Sequence, residues 1–121
     1  MKDITNRKDV EFMVDTFYSA VREDELLGPI FNRVIQDNWP THLETMYKFW
    51  STVLLQEMSY KGAPFMQHRK LPISPEHFDR WIYHFYTTID KHFEGEVAEE
   101  AKWRSARMAE MFMYKLESNS Y

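Results

Sequence analysis

The chain has no cysteine, which excludes disulfide bonds, zinc–thiolate sites and thioether attachment of a cofactor. It has only three glycines, Gly28, Gly62 and Gly95, which disfavours glycine-rich phosphate loops. An excess of basic charge is also missing, because the formal net charge is −4 and nucleic-acid-binding domains are usually basic. No apolar run is long enough to span a membrane, and the N-terminus has no signal-peptide pattern. We therefore expect a cytoplasmic protein with neither nucleic-acid nor membrane partners.

Large aromatic and thioether side chains are abundant. The 121 residues are 44% hydrophobic and include nine Phe, seven Tyr, four Trp and eight Met. This length and hydrophobic content predict a single folded domain over residues 1–121 with one core. Rings and thioethers fill irregular space well. They also suit the walls of a pocket around a large flat ligand, although an ordinary core of large residues explains the composition equally well.

Apolar residues at helical spacing predict the first two helices. The first helix is predicted from Lys8 to Glu25, with an inward stripe that contains Val10, Met13, Val14, Phe17, Tyr18 and Val21. Leu26–Leu27–Gly28–Pro29 is predicted to end it, with Phe31 in an apolar connector. The second helix is predicted to begin near Asn38–Trp39–Pro40, and it places His42 on its buried side together with Trp50.

Two further helices are predicted after an interrupted stretch over residues 59–74 that contains His68. Ser74 and Pro75 are predicted to begin the third helix, which ends around His92 to Gly95. The fourth helix is predicted over residues 97–117, with mostly small residues facing inward. Because no strand alternation is visible, the predicted class is all-α, and four helices fit either a bundle or a reduced globin.

The histidines do not form a metal motif of fixed spacing. No histidine has Glu or Asp three residues before it, as di-iron bundles require, and His-Glu-x-x-His is absent. Haem ligation needs only one neutral imidazole and an apolar slot, and therefore leaves no short motif. A lone histidine is more often a solvated or satisfied residue than an iron ligand, so the spacing of His68 alone does not favour ligation.

The order of several short segments makes the chain similar to the group III truncated haemoglobins of bacteria. The similarity covers nearly the whole chain, and its strongest part is His77–Phe78–Asp79–Arg80–Trp81. The other parts are Phe17–Tyr18, Leu27–Phe31, His42 followed eight residues later by Trp50, Tyr60–Phe65, His68 and Leu71–Ile73. This resemblance implies a two-over-two helical sandwich around a haem.

The resemblance also implies roles for individual residues. His68 corresponds to the proximal iron ligand. Tyr18, Trp81 and His42 correspond to distal positions beside a bound gas, where a phenol or an indole N–H donates a hydrogen bond. The alternative for Tyr18 is a core tyrosine bonded to a backbone carbonyl, and the alternative for Trp81 is plain core packing. Whether His42 donates to the gas, gates access, swings away or itself ligates iron stays open.

Other residues are candidates for contacts with the haem. Phe31 and Trp50 are expected to pack in the pocket. His77 is expected either to form a structural hydrogen bond at its helix start or to contact a propionate. The candidate cations for the propionates are Arg69, Lys70 and Arg80, because carboxylates favour guanidinium and ammonium groups. An ordinary solvated cation is the alternative for each.

The expected cofactor is haem b, held without a covalent bond because no cysteine exists to attach it. The expected ligands are dioxygen, carbon monoxide and nitric oxide. Several distal donors favour redox chemistry on the bound ligand, such as nitric oxide dioxygenation or a peroxidase-like step, with an unidentified reductase and a monomeric chain. Two alternatives remain: a non-enzymatic gas store, scavenger or sensor, and a haem-free helical module with an aromatic groove.

Overall fold

The computed structural model describes residues 1–55 and 74–118, with side chains as far as Tyr114. This part of the chain is helical, and outside the helices it pairs as a β-bridge only at Lys2 and Phe93. Its α-helices are α1 (Arg7–Glu23), α2 (Gly28–Ile35), α3 (Trp39–Leu55), α4 (Pro75–His92) and α5 (Glu96–Ser118), and a 3₁₀ turn at Gln36–Asn38 joins α2 to α3. None of these helices is long and apolar enough to cross a membrane.

Helix α1 begins at a side-chain cap and ends earlier than predicted. The side chain of Asn6 accepts a hydrogen bond from the backbone N–H of Asp9 at 2.9 Å. The predicted inward stripe is confirmed, since its six residues are all buried. The helix ends at Glu23 because Asp24 has an extended backbone, and the Asp24 carboxylate accepts from the backbone of Leu26 instead.

The predicted connector around Phe31 is wrong, because residues 28–35 form helix α2. Pro29 lies in the first turn of α2, where its missing N–H costs nothing. Gly28 is required by a close approach, since a Cβ at this position would lie 2.4 Å from the carbonyl oxygen of Arg22. The segment that ends α1 therefore also begins α2, and it buries Phe31.

The predicted starts of the next helices are confirmed. Helix α3 begins at Trp39 and buries six residues, namely Trp39, Met46, Phe49, Trp50, Ser51 and Leu54. Helix α4 has Ser74 as its N-cap and Pro75 in its first turn. The predicted fourth helix is α5, which begins at Glu96.

The N-terminal segment fixes the turn between α4 and α5. The carboxylate of Asp3 accepts hydrogen bonds from the backbone N–H groups of Val97 (3.0 Å) and Ala98 (2.8 Å) at the start of α5. Gly95 lies in this turn with a φ of 135°, and a Cβ there would meet the Asp3 side chain at 2.5 Å. The turn therefore needs glycine, and it holds the two longest helices as an antiparallel pair.

The long helices pack as two layers. Helix α1 packs against α3, α4 packs against α5, and α1 also contacts α4 across the layers. The face of α5 toward the core contains small residues, with Ala98, Ala101, Ser105 and Ala109 all buried. Small side chains allow two helices to approach closely, and this leaves the aromatic side chains concentrated between α1, α3 and α4. The all-α, two-over-two arrangement is thereby confirmed.

Candidate functional site

Three residues predicted to lie beside a gas ligand meet at the junction of three helices. Tyr18 comes from α1, His42 from α3 and Trp81 from α4. The ring centroids of Tyr18 and His42 are 5.1 Å apart, in an edge contact. Trp81 is joined to Tyr18 through Phe17, whose ring centroid lies 4.9 Å from that of Tyr18 and 5.2 Å from that of Trp81. Side chains far apart in sequence therefore form one cluster, which we call the distal cluster (Phe17, Tyr18, His42 and Trp81).

The Tyr18 phenol and the Trp81 indole are buried hydrogen-bond donors. Burial raises the pKa of Tyr18 well above its ordinary value, because a phenolate would lose its hydration there. The phenol therefore keeps its proton at neutral pH and remains a donor. Tyr18 and Trp81 are only 3% and 8% exposed.

The hydrogen bonding of Tyr18 and Trp81 differs from that of two comparable side chains nearby, Trp39 and Tyr47. The indole N–H of Trp39 donates to the side-chain oxygen of Asn32 at 3.2 Å, and the hydroxyl of Tyr47 donates to Asp15. Across residues 1–55 and 74–118, no hydrogen bond joins the Tyr18 hydroxyl or the Trp81 indole N–H to another described residue. Buried donors are normally bonded. Two donors without a partner among the described residues, on side chains that both contact Phe17, fit a pocket that receives a polar or polarised ligand.

His42 is the member of the distal cluster that also borders an open groove. Its ring makes edge contacts with Tyr18 and, at 5.7 Å between centroids, with Trp39. The side chain is half-buried. It also lines a groove of about 290 Å³ together with Val34, Ile35, Asn38, Thr41 and Thr45. The imidazole therefore lies between the Tyr18 ring and an open groove.

A second small groove reaches Tyr18 from the surface between α1 and α3. Its volume is about 230 Å³, and its other lining residues are Asp15, Ser19, Arg22, Trp39, Leu43 and Tyr47. The guanidinium of Arg22 lies over the Trp39 ring at 4.5 Å, a cation–π contact at the edge of the groove. Tyr18 therefore has solvent-facing space on one side and the aromatic core on the other.

Phe85 is the centre of an aromatic stack that packs against the distal cluster. Phe85 stacks against Trp50 at 5.0 Å and against Trp81 at 5.9 Å between ring centroids, and it meets Phe17 edge-on at 5.2 Å. The predicted pocket residues Trp50 and Phe31 are both buried. The sequence predicts Phe17 on the inward stripe of the first helix, but it does not show that Phe17 and Phe85 organise the site. A stripe shows which residues face inward and not which of them touch each other.

Asp24 is a further residue that sequence reasoning missed. Its side chain is 4% exposed, and it accepts from Arg80 Nε at 3.0 Å and His84 Nε2 at 2.5 Å. Burial alone would raise the pKa of Asp24, but the hydrogen bonds from His84 and from the backbone of Leu27 and Leu26, with the charge of Arg80, hold it below its ordinary value. The carboxylate is therefore ionised at neutral pH. An aspartate just before a Leu-Leu-Gly corner indicates a turn, and nothing in the sequence indicates its partners on α4.

The other predicted site residues either make a structural hydrogen bond or lie outside the described part of the chain. The Nδ1 atom of His77 accepts from the backbone N–H of Ser74 at 3.0 Å, which is the structural hydrogen bond foreseen for this residue. His68, Arg69 and Lys70 lie outside the described residues, as does the rest of the stretch 56–73. Within the described ranges, no group of three His, Asp or Glu side chains is arranged to hold a metal ion.

Comparison with known proteins gives one consistent answer. The family model of the bacterial-like globins matches residues 2–115. The group 3 truncated haemoglobin of Campylobacter jejuni is 31% identical over 115 residues, which cover 92% of this chain and 91% of that protein. The crystal structure of a group III truncated haemoglobin from Campylobacter jejuni superposes with a TM-score of 0.85 and 31% identity, and covers 96% of this chain and 95% of the other. Globins hold a haem, and diatomic gases bind at its iron. The chain belongs to the bacterial-like globin family, as a member of the group III truncated haemoglobins.

Proposed function

We propose that the chain holds one haem b without a covalent bond, with His68 as the iron ligand, and performs redox chemistry on a bound diatomic gas. Membership in the globin family supports haem-based gas binding. The absence of cysteine supports non-covalent attachment. When bound, the haem supplies an iron that coordinates the gas and exchanges electrons with it. The observation that carries the proposal is the pair of donors on the buried side chains of Tyr18 and Trp81, neither of which has a hydrogen-bond partner among the described residues.

The distal residues act by donating hydrogen bonds to the gas ligand. Tyr18 remains a protonated phenol, since its pKa is raised by burial. Trp81 has only an N–H to offer and cannot accept. The ring of Phe17 packs edge-on against both side chains and Phe85 stacks on Trp81, and hydrogen bonds are stronger in such apolar surroundings. Both donors therefore favour a ligand that carries partial negative charge, such as dioxygen, over carbon monoxide.

Two donors slow the release of dioxygen, and slow release suits reaction better than delivery. Slow release would give a second reactant, nitric oxide, time to combine with the dioxygen and leave as nitrate, with one electron supplied by the haem iron. A peroxide polarised by the same donors is the other substrate class. The electrons that restore the iron come from an outside reductase. The experiment adds nitric oxide to the dioxygen-loaded protein and measures nitrate. Stoichiometric nitrate supports the proposal, and fast dioxygen release without nitrate supports a gas store, scavenger or sensor.

The remaining contacts with the haem are part of the same proposal. Phe31 and Trp50 are proposed to line the pocket, in keeping with their burial. His77 and Arg69 are proposed to meet the propionates. Arg80 is also proposed as a propionate partner, through its terminal N–H groups, since its Nε donates to Asp24. His42 is proposed to act at the distal side, where it touches Tyr18.

We expect Tyr18→Phe to speed dioxygen dissociation about fivefold, since one hydrogen bond contributes on the order of 1 kcal/mol net. Stopped-flow displacement of dioxygen by carbon monoxide measures the rate. Tyr47→Phe is the matched control, because the Tyr47 hydroxyl donates to Asp15 on the surface, and it is expected to leave the rate unchanged. Equal rates in Tyr18→Phe and the parent would contradict the role of Tyr18.

A further inference from the structure

A buried carboxylate joins the corner between α1 and α2 to helix α4. The Oδ1 atom of Asp24 accepts the backbone N–H groups of Leu26 (2.7 Å) and Leu27 (3.0 Å), which shapes the corner. The Oδ2 atom accepts Arg80 Nε and His84 Nε2, which lie one turn apart on α4. One side chain therefore satisfies four donors from two separate parts of the fold.

The groups that donate to Asp24 lie next to α1 and on α4, the two helices that carry the proposed contacts with the gas ligand. Tyr18 lies on α1, the helix that leads into the Asp24 corner. Trp81 follows Arg80 directly on α4 and lies within the turn that Arg80 and His84 delimit. Asp24 is therefore the polar link between the helix of one proposed donor and the helix of the other.

Apolar packing by itself does not fix the position of α4 relative to α1 well. Trp81 meets Phe17 edge-on and stacks on Phe85. Because burial of apolar surface is not directional, these contacts constrain the position of α4 less strictly than hydrogen bonds do. A buried carboxylate that accepts from charged and backbone donors constrains the position of the helices more strictly. Its hydrogen bonds require particular distances and angles, and any shift of α4 leaves a charge without its partner.

We propose that Asp24 is a positioning residue, which sets where the Trp81 indole stands relative to Tyr18 and thereby the strength of the Trp81 hydrogen bond to the gas ligand. This inference rests on the proposed function. It assigns Asp24 no contact with the haem or the gas. It makes the ion pair with Arg80 and the hydrogen bond with His84 part of the ligand-binding apparatus rather than a surface feature.

The test is a double-mutant cycle between Asp24→Asn and Trp81→Phe. Asparagine keeps the size of the side chain and an oxygen for Leu26 and Leu27, but its amide NH₂ cannot accept from Arg80 and His84. Two quantities are measured in the reduced, haem-loaded protein: the C–O stretching frequency of the carbon monoxide complex, which reports local hydrogen bonding, and the dioxygen dissociation rate.

We expect Asp24→Asn to speed dissociation about fivefold, the factor for one lost hydrogen bond of ordinary net strength. The C–O band is expected to shift in the same direction as in Trp81→Phe. In the Trp81→Phe background, Asp24→Asn is expected to change neither quantity further. A purely structural role would instead add the same effect in both backgrounds, and that result would overturn the inference, as would an Asp24→Asn protein identical to the parent.

A second pair of variants keeps the inference testable if Asp24→Asn does not fold. His84→Gln retains a side-chain N–H for Asp24, whereas His84→Leu removes it, and we expect only His84→Leu to shift the C–O band. Asp90→Asn is the matched control, because Asp90 lies on the same helix in a surface ion pair with Lys102. An equal band position in both His84 variants would overturn the inference.

Failure of the inference is distinguishable from failure of the proposed function. If Trp81→Phe and Tyr18→Phe leave dioxygen dissociation unchanged while Asp24 is intact, the proposed roles of the donors are wrong, and the inference falls with them. If those variants act as expected and the Asp24 and His84 variants do not, the proposed function stands and Asp24 only stabilises the fold.

Discussion

Replacing His68 by alanine is expected to remove histidine ligation of the haem iron and to weaken haem retention roughly 100-fold or more. Loss of a group that merely orients a metal ligand costs about 10–100-fold in affinity, and loss of the ligand itself exceeds that. The measurement is the rate at which haem passes to an excess of an apoglobin acceptor, together with the spectrum of the reduced carbon monoxide complex. His68 is assigned this role by family resemblance alone, and this variant is therefore the sharpest test of the assignment.

Variants of two other histidines supply the control and the test of an alternative iron ligand. His92→Ala is the control, because His92 lies at the end of α4 in edge contact with Phe12 and has no proposed role at the haem. It is expected to keep the spectrum and the retention of the parent. His42→Ala separates the remaining possibility that the distal imidazole holds the iron. If ligation survives in His68→Ala and is lost in His42→Ala, the proposed assignment of proximal and distal sides is wrong.

Phe85→Ala is expected to lower the free energy of unfolding by about 3–5 kcal/mol, the range for truncation of a buried Phe. The ring is 1% exposed, and it contacts Phe17, Trp50 and Trp81. Its removal leaves a cavity beside Trp81, where the three neighbouring rings cannot close the space without leaving their own packing. Urea unfolding of the apoprotein, followed by far-ultraviolet circular dichroism, measures the loss.

The control for this variant lies on the same helix. Tyr83 is 61% exposed, and Tyr83→Ala is expected to cost less than about 1 kcal/mol. Phe85→Ala is also expected to speed dioxygen dissociation in the haem-loaded protein, because Trp81 loses the ring on which it stacks. A stability loss no larger than that of Tyr83→Ala would show that the aromatic stack does not hold the three helices together.

The helices were predictable because their inward stripes follow the helical period, as in α1, where all six stripe residues are buried. Helix α2 was missed because Gly28–Pro29 is a stop signal for one helix and a start signal for the next. The caps at Ser74 and Pro75 were readable because they act within a few residues. Local chemistry was thus visible in the sequence.

The site was less visible because it depends on contacts between distant segments. Tyr18, His42 and Trp81 were placed by resemblance. Spacing shows neither the contacts that link them, His42 with Tyr18 and Phe17 with Tyr18 and Trp81, nor the burial that keeps Tyr18 protonated. His84 was given no role from the sequence, although its ring nitrogen binds Asp24, which is 60 residues earlier. Such a partnership is decided by how α4 packs against the end of α1.

The measurement that tests the central claim most directly is a titration of the purified apoprotein with haem b, followed by reduction and addition of carbon monoxide. We predict saturation at one haem per chain and the absorption spectrum of a histidine-ligated ferrous carbon monoxide complex, with all haem extractable into acidified organic solvent because none is covalently attached. No saturable uptake of haem, or a carbon monoxide spectrum without histidine ligation, would contradict the account.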